Sequence, residues 1–245
     1  MKKKGNKRQY NIFLIVGIVI VLTAIFIAVF CPIITKYDPL LVNVEERITA
    51  PTGQHKLGTD EMGRDVLSRM FFGVRASMII GVSVAIISTM AGIIVGVIAG
   101  YYNKVDNVLM RILDGVMAFP SIIIAIALAG ILGTGKINII IALSVAYFPT
   151  MARIVRSSVL SLRDIEYVQS IKVLGASDVY IIIHHIIPNI ISPIIVQMTF
   201  IFALAVFDEA ALSYLGVGIR APEPSLGGMV SDARKYMSVA PWTIL

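Results

Sequence analysis

Charge is scarce in this sequence. Asp, Glu, Lys and Arg make up only 15% of its 245 residues, against roughly 25% in an average soluble domain. So little charge cannot clothe a water-soluble fold. With 57% hydrophobic residues and a mean hydropathy of +0.86, the chain reads as an integral membrane protein. Cysteine is nearly absent as well. Cys31 alone cannot form an internal disulfide, and the bulky Phe30 before it does not fit a lipoprotein cleavage site. No basic patch is interleaved with stacking aromatics, so the net charge of +6 points to membrane orientation rather than nucleic-acid binding.

A further missing residue decides the reading of "GILGTGKI", Gly130 to Ile137. The pattern G-x-x-x-x-G-K is most of a phosphate-cradling loop, but that loop needs Ser or Thr next to hold Mg, and it joins a strand to a helix. Ile137 stands in that place, between two apolar runs. The glycines are therefore expected to turn the chain between two membrane helices, and no ATP site or metal site is expected on this chain.

A bilayer core about 30 Å thick needs roughly 20 mostly apolar residues per helix. Five runs qualify: Ile12 to Ile34, Ser77 to Gly100, Gly115 to Gly135 starting a little earlier, Ile137 to Ala152 completed by a snorkelling Arg153, and Ile190 to Phe207 extending through "DEAALSYLG". Their length and lack of alternation exclude an outer-membrane barrel. The first run, at 23 residues with no A-x-A-like site after it, is too long for a cleaved signal. Five of the 21 Lys and Arg residues fall in the first eight positions, which keeps the N-terminus cytoplasmic. Parity then puts residues 36–72 outside, 101–110 inside, 133–136 outside and 153–188 inside. The domains expected are a cytoplasmic N-terminus (1–11), a first transmembrane helix (12–34), an extracytoplasmic loop with a short amphipathic helix (35–73), a helical core (74–217) with a cytoplasmic loop at about 156–189, and an extracytoplasmic segment (218–245).

Two loops carry more than connection. In "HKLGTDEMGRDVLSRMFFGV", Gly58 and Gly63 mark turns, and Asp65 is placed to cap a short helix before the second span. The pair Asp60 and Asp65 has only His55 nearby, too few partners for a hydrolytic or metal site. In "SLRDIEYVQSIKVLGASDVYIIIHHIIPN", Ser161 and Asp164 are N-cap candidates and Val168, Ile171 and Leu174 form an apolar stripe. Gly175 follows where a left-handed C-cap belongs. Ser177 or Asp178 can cap a second helix running to Pro188.

These residues resemble a family. Gly175 and Pro188 fit the EAA loop of ABC importer permeases, with Gln169, Ser170 and Ile171 in place of E-A-A and His185 in place of its first isoleucine. The blocks "HKLGTDEMGRDVLSRMFFGVRAS", "MRILDGVMAFPS", "EYVQSIKVLGASD", "HHIIPNIISPIIV" and "EAALSYLGVGIRAPEPSLGGM" look like the C-type permease subunit of dipeptide, oligopeptide and nickel importers. The resemblance implies an all-α, polytopic bundle of the type I importer permease kind in a bacterial or archaeal cytoplasmic membrane, with a sixth span expected beyond the five. It implies a homologous second permease, two ATPase subunits carrying ATP and Mg, and an extracytoplasmic substrate-binding protein as partners. It implies that Glu166, Val168, Gln169, Ile171, Leu174, Gly175, Ala176, Asp178 and Pro188 form the ATPase-coupling loop, with Val168, Ile171 and Leu174 as buried knobs. Gly58, Thr59, Asp60, Gly63, Arg64 and Asp65 belong to an extracytoplasmic motif.

Cargo is expected to be di- or oligopeptide, with nickel, metal chelates or glutathione as alternatives. A stand-alone ion-coupled carrier is the rival reading. Ionisable groups within spans are functional hypotheses by default, so Asp114 and Glu209 join Pro120 as candidates for the pathway or gate. No His or Arg partner is expected at the depth of these acids, and Asp208 has no family counterpart to assign it a role. Gly92, Gly96 and Gly100 recur every four residues and should let one face of the second span approach another helix closely. Pro120 and Pro149 should interrupt the third and fourth spans.

Overall fold

Inside a bilayer the backbone has no water to bond, so crossing segments must satisfy their own N–H and C=O groups as helices. A computed structural model describes residues 6–244 and follows that rule. The helices are α1 (Asn6–Ile34), α2 (Val66–Tyr101), α3 (Asn103–Met117), α4 (Ser121–Leu132), α5 (Lys136–Arg163), α6 (Glu166–Val173), α7 (Asp178–Ile181), α8 (Ile191–Tyr214) and α9 (Leu226–Ala233). A π turn at Ile182–Ile186 and a 3-10 turn at Ile187–Ile190 join α7 to α8. Among the described residues the only β pairing is an isolated bridge between Thr59 and Asp65. Residues 1–5, and with them Lys2, Lys3 and Lys4 of the basic cluster, lie outside the described residues.

Among the described residues, four helical stretches are long and apolar enough to cross a membrane: Leu14–Ile34, Val66–Tyr101, Lys136–Arg163 and Asp178–Tyr214. The third expected span differs. It breaks by 84° between α3 and α4, and only the bent pair taken together makes a fifth crossing. Pro120 is the cause: it has no N–H to give, and its ring disfavours helical geometry at Phe119. Its carbonyl then starts α4, accepting from the amides of Ile123 and Ile124. Pro149, in contrast, sits inside an uninterrupted α5. The expected short helix before the second span is also absent as a separate element, because residues 66–101 form one helix.

Two compact units divide the chain: residues 1–79 with 213–245, and residues 80–212. In the second, α2 packs on α5 through its glycines. A Cβ at Gly92 would lie 2.5 Å from Met151 Cγ, one at Gly96 would lie 2.5 Å from the Ala152 carbonyl oxygen, and one at Gly100 would lie 2.7 Å from Val159 Cβ. The close approach expected of these positions is therefore real. Its order, 92 to 100 against 151 to 159, makes α2 and α5 run in the same direction, as crossings two apart must. Tight packing of this kind resists even one added methyl group. Gly96→Ala is expected to cost about 1–3 kcal/mol and lower the melting temperature of the detergent-extracted protein. Gly115→Ala, whose Cβ meets nothing within 4 Å, should not lower it.

Candidate functional site

The Gly58–Asp65 segment is built around two carboxylates whose lone pairs are already used. Asp60 accepts from the amides of Met62 and Arg64, both at 2.9 Å, and from Arg64 Nε at 2.7 Å. Arg69 Nε lies 3.4 Å away on the same carboxylate. Asp65 caps α2 by accepting from the Ser68 amide at 2.8 Å, and its other oxygen lies 2.9 Å from His55 Nδ1. The second His55 nitrogen lies 3.2 Å from Glu46, and Tyr37 stacks on the ring. Thr59 donates its hydroxyl to the Glu46 carbonyl and accepts from the Thr49 amide at 2.9 Å.

Gly58 and Gly63 have φ of +72° and +75°, and a Cβ at Gly63 would fall 1.7 Å from the Asn43 carbonyl oxygen. The segment is thus a knot that fixes the loop onto the start of α2. Asp65→Ala removes a cap and leaves buried His55 short of a partner, a loss of about 2 kcal/mol or more. Asp65→Asn, which still caps, should lose less in the same thermal-stability assay.

The loop after α5 is a helix pair turned by one glycine. Gly175 has φ of +90°, its amide donates to the Lys172 carbonyl at 3.0 Å, and the Ala176 amide donates to the Ile171 carbonyl at 3.3 Å. These two bonds are a Schellman closure of α6. Ser177 caps α7, accepting from the Tyr180 amide, and Asp178 and Glu166 occupy the first turns of α7 and α6, where the helix dipole favours an acid. Neither Ser161 nor Asp164 caps α6. Ser161 lies within α5, Asp164 ends it, and the N-cap position of α6 falls to Ile165.

The stripe is also turned from the expected direction. Val168 is 2% exposed, facing into its own chain, whereas Val173 and Leu174 are each 86% exposed at the tip. Ile171 is half-buried, and Pro188 is exposed in the 3-10 turn. The loop is braced at its root. Gln169 donates to the Arg163 carbonyl at 2.9 Å, and Arg163 Nη1 donates to the Gly100 carbonyl at 2.8 Å, closing the end of α2. Tyr101 donates to Asp178 at 2.8 Å. These bonds tie the loop to the ends of both α2 and α5.

The acids in the apolar runs have partners that linear spacing does not reveal. Arg153 donates to Asp114 at 2.5 Å on the exposed side of α3, which corrects the expectation of no Arg at that depth. Asp208, without assignment in the sequence, is buried and takes the hydroxyl of Tyr147 at 2.5 Å. Glu209 is fully buried beside it. Arg156 grips Asp106 with two bonds of 2.5 and 2.6 Å. Among the described residues no group of three or more His, Cys, Asp and Glu is arranged to hold a metal ion.

Residues 89–245 match the binding-protein-dependent transport system inner membrane components. The chain belongs to that family. The permease is 41% identical over 236 residues to the dipeptide transport system permease protein DppC of Alkalihalophilus pseudofirmus, covering 96% of this chain and 78% of that one. It is 38% identical over 235 residues to the oligopeptide transport system permease protein OppC of Bacillus subtilis, covering 96% and 77%. It is 36% identical over 223 residues to the glutathione transport system permease protein GsiD of Pectobacterium atrosepticum, covering 90% and 74%. The permease is thus an inner membrane transport component. The family match contains the Gly175 loop and Glu209, while the Gly58–Asp65 knot lies before its start.

Proposed function

We propose that the permease forms half of the translocation pathway of an ATP-driven importer of di- or oligopeptides, beside a homologous second permease. Two ATPase subunits bind ATP and Mg, and an extracytoplasmic protein delivers the substrate. The N-terminus and the Gly175 loop face the cytoplasm, a side supported by the basic residues at the start of the chain and by the parallel run of α2 and α5.

The observation that carries this reading is the tip of the α6–α7 pair, where Val173 and Leu174 stand almost free of their own chain. Burying two such side chains contributes roughly 1.5–3 kcal/mol each, enough for a docked contact with an ATPase subunit. When the ATPases close on ATP, the braced root passes the motion to α2 and α5, and the near-continuous helix from Asp178 to Tyr214 passes it to α8. Glu209 lies on α8, Asp114 is tied to α5 through Arg153 and Pro120 sits at the bend between α3 and α4; these three are assigned to the pathway or its gate.

Leu174→Cys in a Cys31→Ser background gives a single reactive thiol, because the chain has one cysteine. Short cross-linkers should join it to an ATPase subunit in membranes. A fully assembled complex with no such cross-link would sink the docking assignment. Glutathione is a second reading, favoured by the similarity to GsiD. Competition of labelled dipeptide uptake by glutathione separates the two.

A further inference from the structure

The helix α3 carries an exposed apolar face distinct from the side that bears Asp114. Around its axis, Asn103, Lys104, Asn107, Arg111 and Asp114 share a polar side. Leu113 and Asp106 are buried, with Asp106 held by α5. Between these two sides lies a third, apolar and open: Val105, Val108 and Ile112, at 39%, 61% and 60% exposure. Lys104 and Arg111 border that open stripe next to Val108, and Tyr101 and Tyr102 precede it.

The partners of α3 on α5 fix its level, and its bend to α4 fixes its direction. Asp114 and Asp106 meet Arg153 and Arg156, which lie 17 and 20 residues along α5 from its start at Lys136. At 1.5 Å per residue those arginines are about 26 and 30 Å from that end, where a hydrocarbon core about 30 Å thick gives way to headgroups. A third tie, from Arg163 Nη1 to the Asn103 side-chain oxygen at 2.6 Å, holds the start of α3 to the same end of α5. The direction of α3 comes from its 84° bend to α4, because α4 packs back against α5 beyond the turn at Gly133 and Gly135. A helix at the boundary, lying across the spans, with an apolar stripe edged by cations has the character of an interfacial helix.

We propose that α3 lies in the membrane–water interface and binds the anionic headgroups of the leaflet at the Gly175-loop end, with Val105, Val108 and Ile112 in the upper acyl region and Lys104 and Arg111 at the phosphates. The lipid surface is chosen over a protein partner because the stripe sits at headgroup depth and its cationic border complements an anionic leaflet. Only the naming of that leaflet as cytoplasmic rests on the proposed orientation.

The test places an environment-sensitive fluorophore on Val108→Cys, Ile112→Cys or Asn107→Cys, each in a Cys31→Ser background, within the assembled importer in phosphatidylcholine vesicles with or without phosphatidylglycerol. All three sites are exposed, so labelling does not disturb packing, and ATP hydrolysis by the same preparation reports separately on assembly. At 108 and 112, nitroxide on the upper acyl chain should quench several-fold more than aqueous iodide, and at 107 iodide should dominate. Headgroup-labelled phosphatidylglycerol should quench the position-108 probe more than headgroup-labelled phosphatidylcholine, and Lys104→Gln with Arg111→Gln should remove that preference. Iodide access at 108 and 112 would overturn the proposal. So would shielding from both quenchers, which would place a protein partner on the stripe.

Discussion

Gly175→Glu is expected to leave the permease inserted and to bring ATP-driven uptake down to background. The backbone at this position has φ of +90°, where a side chain costs roughly 1–2 kcal/mol. Apart from its neighbours in the chain, no atom of the described residues lies within 4 Å of the Cβ it would acquire, so membrane insertion and packing are spared. The damage falls on the docking surface. A carboxylate next to Leu174 would have to be desolvated without a partner as the tip is buried against an ATPase subunit, and an unpaired buried charge costs several kcal/mol. Gly175→Asn separates the two effects, since Asn tolerates the left-handed conformation and brings no charge. It should retain most uptake. Equal loss in Gly175→Asn and Gly175→Glu would place the effect in the turn and not in docking.

The second large effect is expected at the Asp106–Arg156 pair. Its two short bonds form a fork on a carboxylate, and Asp106 is 9% exposed. Arg156→Ala leaves that acid largely buried without its partner, at a cost of about 3 kcal/mol, and removes the most buried of the ties between α3 and α5. The variant should be recovered in markedly lower amount and lose its monodisperse peak on extraction. Asp106→Ala combined with Arg156→Ala removes both charges and should be less damaging than Arg156→Ala alone. If the double variant were as poor as Arg156→Ala, packing rather than the ion pair would be what holds α3.

Much of this architecture is legible in the sequence, because a run such as Ile12 to Ile34 has few ways to satisfy its backbone other than as a membrane helix. The turn at Gly175 is equally local, since only a short-range pattern of helix, glycine and cap is needed. What is not legible is non-local or mixed in character. Lys104, Asp106, Arg111 and Asp114 dilute the hydropathy of α3, so the helix reads as a loop with an uncharged span starting after it. Its stripe emerges only at helical periodicity, and the partners of Asp106 and Asp114 lie about forty to fifty positions away, on α5. The stripe on α6 is legible, but its direction is not, because Val168 and Leu174 are equally apolar. What buries one and exposes the other is how α6 sits on its own chain. The Tyr147–Asp208 bond has the same origin, as spacing across 61 residues carries no sign of contact.

The most direct measurement is to tag the permease at its chromosomal locus, extract it in mild detergent, identify what co-purifies and assay ATP hydrolysis in the eluate. The account predicts a second permease and ATPase subunits in the complex, with hydrolysis present in the native protein and the ATPases lost in Gly175→Glu. Recovery of the chain alone, transporting substrate in vesicles on an ion gradient without ATP, would contradict it.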